Sequence, residues 1–157
     1  MTEPSGGWVL QLSRALDASP DRVFTMLTEP GELAQWWGPS GFTVPELKVT
    51  LRPGGHYRFT MAPPEGEPFH LSGEFLDIAA PTRLVYTFRW DEPDPDDRET
   101  VVTLTLTDVG GATELSLSQG EFATEDRLAL HRNGWSESLD KLHALLGGES
   151  AQSREPR

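Results

Sequence analysis

The chain has no cysteine. Disulfides, thiolate metal sites, iron–sulfur clusters and cysteine nucleophiles are therefore excluded. It is also short of positive charge: 13 Lys and Arg against 25 Asp and Glu leave a net charge of −12. So acidic a surface repels phosphate backbones and anionic bilayers, and neither nucleic acid nor a membrane is expected as a partner. No apolar run approaches the roughly 18 residues of a membrane span. The opening MTEPSGGW lacks the basic and apolar regions of a signal peptide, so the expected location is the cytoplasm. The GxSxG elbow of serine hydrolases is absent as well.

Aromatic residues are what the chain does have. Five Trp, seven Phe and two Tyr stand within a hydrophobic fraction of 36% over 157 residues. A chain of this length buries about 69% of its unfolded surface, enough for one well-cored domain. Residues 1–7 and 147–157 are polar and rich in Gly, Ser and Pro. They are expected to be disordered tails around a single domain at residues 8–146.

Periodicity orders that domain. Trp8, Leu10 and Leu12 alternate with Val9, Gln11 and Ser13 as in a strand. Ser19, Pro20 and Asp21 then form a helix start, with Val23, Phe24 and Leu27 as its apolar face. A second short helix, about Gly31–Trp37, stops at Gly38 and Pro39. Two hairpins follow whose registers can be derived. If Ala62 pairs with Pro68, Tyr57, Phe59, Met61, Phe69, Leu71 and Phe75 share one face, and His56, Arg58, Thr60, His70, Ser72 and Glu74 the other. If Gly110–Gly111 is a two-residue turn, Leu106 faces Leu115 and Leu104 faces Leu117. Leu84, Tyr86, Phe88 and Trp90 form one face of another strand, and Pro45 marks a weaker one as an edge or bulge. A long helix at about Thr124–Leu146 carries Leu128, His131, Trp135, Leu139, Leu142 and Leu146 on one stripe. The expected class is α+β, an antiparallel sheet of six or seven strands with its helices on one face.

Several strings carry a family resemblance: RALDASPDRVFTMLTEPGELAQWWGP, RPGGHYRFTM, GEFLDIAAPTRLVYTFRW and HRNGWSESLDKL. Together they resemble the SRPBCC superfamily (START-like and birch-pollen-allergen-like proteins), and within it the heat-shock-protein-90 ATPase activator homologues. The resemblance implies a helix-grip fold, with the sheet curled around the long C-terminal helix and a cavity between them. It also implies one of several activities: binding hydrophobic ligands, cyclase or hydrolase catalysis, or chaperone binding. The eukaryotic co-chaperone that names the branch carries most of its chaperone binding on an additional N-terminal domain. Only seven residues precede the first expected strand here, so a chaperone stays open as a lesser partner.

The chemistry narrows further. His56 and His70 fall on the polar face, with His56 opposite Glu74, so no converging metal ligands are expected, and no cofactor either. Asp91–Glu99 lacks the glycine and distal Glu of a calcium loop and reads as a solvated hairpin tip. Arg52–Gly55 reads as a tight strand entry. The candidate ligand site is the ring set Trp36, Trp37, Phe59, Tyr86, Phe88, Trp90 and Trp135, with His131 on the same helical stripe. His131 is either a satisfied core histidine or the group that orients a ligand. Arg14 is either polar lining or part of an ion pair with Asp17 or Glu29. The leading function is a binder of a hydrophobic or aromatic small molecule, acting as monomer or homodimer. The alternative is a cyclase or hydrolase of a polyketide-like substrate, with His131 as general acid/base. Asp77 is the one carboxylate near the inner faces, which moves the balance toward a non-catalytic protein.

Overall fold

The computed structural model describes residues 8–154. The tail expected at residues 1–7 and the last three residues of the C-terminal one lie outside them. The elements are β1 (Trp8–Leu16), α1 (Pro20–Thr28), α2 (Pro30–Trp36), β2 (Thr43–Val49), β3 (His56–Ala62), β4 (Phe69–Ala79), β5 (Arg83–Trp90), β6 (Thr100–Val109), β7 (Ala112–Phe122) and α3 (Glu125–Arg154). The strands form one seven-stranded antiparallel sheet in the order β1-β7-β6-β5-β4-β3-β2. The sheet curves around α3, and the architecture is the helix-grip α+β fold.

Both derived registers hold. Phe59 pairs with Leu71 and His56 with Glu74, while Leu106 pairs with Leu115 and Leu104 with Leu117. All four leucines of the second hairpin, with Phe59 and Leu71, are buried on the inner face. Turn chemistry explains the second hairpin, since Gly110 and Gly111 both adopt positive φ, 64° and 93°. The two edges are β1 and β2, and β2 carries a bulge between Thr43 and Glu46 around Pro45. Pro45 has no N–H to give a ladder, so it sits where the ladder is interrupted.

The helices start where their caps dictate. Ser19 Oγ accepts from the Arg22 N–H at 3.2 Å, with Pro20 at the first helical position. In α3, Thr124 Oγ1 accepts from the Arg127 N–H at 3.1 Å. That helix runs past Leu146 through Gly147 and Gly148 to Arg154, beyond the boundary read from the sequence. Each glycine costs a helix only about 1 kcal/mol, and the first proline that could break it is Pro156.

Gly73 shows how tightly the middle of the sheet is built. A Cβ there would lie 2.0 Å from the Thr87 carbonyl oxygen and 2.6 Å from the Tyr57 ring. Tyr57 occupies that space because its hydroxyl donates to the same Thr87 carbonyl at 2.7 Å. Gly73→Ala is therefore expected to destabilise by about 3 kcal/mol, at the upper end for overpacking. Gly31→Ala, in α2 with nothing within 4 Å of the added methyl, should instead stabilise by about 0.5–1 kcal/mol. Urea unfolding of the two variants checks both signs.

Candidate functional site

A half-open cleft of about 530 Å³ lies between the inner face of the sheet and the N-terminal half of α3. Its sheet wall is Met61, Phe69, Phe88 and Trp90, and its helix wall includes Leu130, His131 and Trp135. The third wall is Trp37–Phe42, the segment after α2. That segment is tied down by α3: Gly38 N–H donates to Ser138 Oγ (3.0 Å), Ser40 N–H to Glu137 Oε1 (2.9 Å), and Lys141 Nζ to the Pro39 carbonyl (3.4 Å). Gly38 and Gly41 supply the positive φ values, 98° and 86°, that turn the chain across the helix.

Within these walls the polar tips of Trp90, His131 and Trp135 all have partners. The Trp135 indole donates to Gln119 Oε1 at 2.7 Å, and Gln119 Nε2 donates to Thr100 Oγ1 at 2.8 Å. Gln119 is fully buried, so this chain is what makes a polar residue tolerable there. The Trp90 indole donates to His131 Nε2 at 3.1 Å, and His131 Nδ1 lies 2.8 Å from the Arg127 carbonyl. A carbonyl only accepts, so Nδ1 carries the proton and Nε2 receives Trp90. Burial pushes the His131 pKa down, against the opposing pull of the Arg127 carbonyl and of Asp97. The ring is thus neutral, in one tautomer, and packed among Phe88, Trp90 and Phe122, with centroids 4.8–6.0 Å away. The satisfied-histidine reading describes its nitrogens; its ring also lines the cleft.

The sequence-derived set divides. Trp37, Phe88, Trp90, His131 and Trp135 share the cleft. Trp36 does not: it is fully buried and gives its indole N–H to the Met26 carbonyl at 2.9 Å. Phe59 and Tyr86 line a separate void of about 20 Å³ beneath the first two helices. Trp37 stands between the two spaces, edge-on to Phe59 at 5.0 Å and to Trp135 at 5.2 Å. Arg14 lies outside the cleft lining and pairs with Asp140 of α3 rather than with Asp17 or Glu29. Asp77 is turned outward and pairs with Arg83 at 3.1 Å.

The acidic stretch after β5 is largely exposed, as expected of a solvated tip, but it is also pinned to α3. Arg127 gathers three of its aspartates: Nε to Asp96 at 3.0 Å, one terminal nitrogen to Asp97 at 3.3 Å, and the other to Asp94. Asp96 also accepts from Thr124 Oγ1 at 3.3 Å. The tip is therefore clamped onto the start of α3, and Glu92, Asp94 and Asp97 become one rim of the cleft. Arg127 was not singled out from the sequence; it stands four residues before His131 on the inward stripe, which is the signal that could have found it. Among the described residues no group of three or more metal-ligating side chains converges, and no helix is long and apolar enough to cross a membrane.

Residues 17–147 match the family described as activator of Hsp90 ATPase homolog 1-like protein. The chain belongs to that family. Solved structures agree. The AHSA1 protein SPO3351 of Silicibacter pomeroyi is 31% identical, with a TM-score of 0.76 over 90% of this chain and 99% of that one. Protein CV1439 of Chromobacterium violaceum is 30% identical, with a TM-score of 0.75 over 88% and 96%. Protein NE0264 of Nitrosomonas europaea is 28% identical, with a TM-score of 0.77 over 92% and 97%. No curated protein matches this chain. The activator-homologue family lies within the SRPBCC superfamily, whose members often bind hydrophobic ligands.

Two outcomes follow from this geometry. Trp135→Ala should cost about 3–5 kcal/mol in chemical denaturation, as core aromatic truncations do. Trp135→Phe should retain the packing and lose about 1–3 kcal/mol, because Gln119 is left without its donor. The second outcome concerns pH. His131 has a folded pKa below its unfolded value, so the unfolded chain takes up a proton first as pH falls. Stability is therefore complete above about pH 6.5 and declines as pH drops from there toward the folded pKa. The stability difference between the wild type and His131→Gln should narrow over that interval, measured by denaturation at stepped pH.

Proposed function

We propose that this protein binds a hydrophobic or aromatic small molecule in the cleft between sheet and α3, without a chemical step. The observation that carries the reading is the cleft itself. Its volume of about 530 Å³ falls in the range of small-molecule sites, about 300–1,000 Å³. Its floor is largely rings and aliphatic side chains, and the polar atoms of Trp90, His131 and Trp135 already have partners, so an apolar body enters there without stranding them. Among the described residues no buried side-chain nitrogen or oxygen is left without a hydrogen-bond partner. Catalysis by His131 is the weaker reading. Acting as a base would require Nε2 to release the Trp90 indole, and the nearest cation, Arg127, is held by aspartates.

Gly134 gives the test. It lines the cleft, and a Cβ added there meets Pro39 Cγ at 3.8 Å, an ordinary contact. A larger side chain should therefore fill the cleft while the helix gains propensity. Gly134→Leu is expected to weaken binding of the neutral dye Nile red by about tenfold or more, with the unfolding midpoint kept or raised. Unchanged dye binding in a folded Gly134→Leu protein would count against the cleft as the site.

A further inference from the structure

We propose that the cleft selects an apolar or aromatic body carrying a cationic amine head over an anionic amphiphile of the same body. This inference rests on the ligand-binding reading above and names the ligand class for that site. The carboxylates lining the cleft are Glu92, Asp94, Asp97 and Glu137, and the cation is Arg127 alone. The lining therefore carries an excess of three negative charges, on a chain whose net charge is −12.

Counting donors sharpens the point. All three guanidinium nitrogens of Arg127 are paired, with Asp94, Asp96 and Asp97. Lys141, just behind the rim, donates to the Pro39 carbonyl at 3.4 Å. His131 is neutral because Nε2 accepts from Trp90 while Nδ1 serves the Arg127 carbonyl. A carboxylate or sulfate head would thus find Arg127 already paired and Lys141 set beside Glu137, and would face several like charges. An ammonium head meets the reverse. Glu137 uses Oε1 on the Ser40 N–H, and its Oε2 has no hydrogen-bond partner among the described residues. Trp37, Trp90 and Trp135 add ring faces that attract a cation sitting between the rim and the apolar floor.

The test uses three probes that share one ring system: naphthylethylamine, naphthylethanol and naphthylacetate, titrated at neutral pH and low salt by tryptophan fluorescence and calorimetry. Affinity should fall in that order, with about tenfold or more between amine and acetate, and added salt should shrink the ratio. Glu92→Gln with Glu137→Gln keeps the hydrogen bonds to His70 and Ser40 while removing two charges, and should cut the ratio about threefold or more. Equal or tighter binding of the acetate, with naphthylethanol still bound, overturns the charge selection and leaves the ligand-binding reading standing. Failure of all three to bind overturns both. Amine binding that survives Gly134→Leu is adsorption to the acidic surface and overturns the placement in the cleft.

Discussion

The indole of Trp135 has two demands that must be met at once: its buried N–H needs an acceptor, and its ring needs a surface to pack on. Gln119 in β7 meets the first at 2.7 Å, and Trp37 after α2 meets the second at a centroid distance of 5.2 Å. These contacts join the sheet, the long helix and the segment following α2 at one point. Gln119 is in turn oriented by Thr100 on the neighbouring strand. An apolar residue at either end of this relay would leave its partner unsatisfied in a low-dielectric interior. The position of α3 over the sheet, and hence the width of the cleft beside it, follows from that relay.

A second relay fixes the other end of the cleft. Arg127 holds the acidic connection between β5 and β6 against the start of α3, where its carbonyl also receives His131 Nδ1. Burial disfavours the guanidinium charge, but hydrogen bonds to Asp94 and Asp96 and the charge of Asp97 hold its pKa above the usual arginine value. Exposed ion pairs contribute little individually, whereas three carboxylates on one largely covered guanidinium form a network. Its effect on the site is electrostatic. It pairs the one cation of the lining and leaves carboxylates in excess along the rim, so the contacts that shape the cleft also set its charge.

His131 links the two relays. It receives the Trp90 indole from the sheet and gives its proton to the helix backbone, and its ring stacks near Phe122. A protonated imidazole would present a second N–H to the Trp90 N–H, so the arrangement holds only with the ring neutral. The residue most suggestive of acid–base chemistry in the sequence has both ring nitrogens engaged in the folded chain and is packed between aromatic side chains.

Local patterns determined much of this protein. Alternation and the Gly110–Gly111 turn placed Leu106 opposite Leu115 and Phe59 opposite Leu71, because a one-residue slip would have turned either apolar set to solvent. Ser19 and Pro20 marked the first helix, and the stripe from Leu128 to Leu146 marked the inward face of the last. Those signals act between near neighbours or across a single turn, which is why they are legible. The site depended on distances along the chain that no local pattern encodes. That Trp36 turns to the Met26 carbonyl of α1 while Trp37 divides the interior was decided by how the two short helices pack, and that Arg14 finds Asp140 and Asp94 to Asp97 close on Arg127 by how α3 lies across the sheet. A periodic stripe states which face of a helix is buried; the tertiary packing alone states which residue of the sheet each side chain meets.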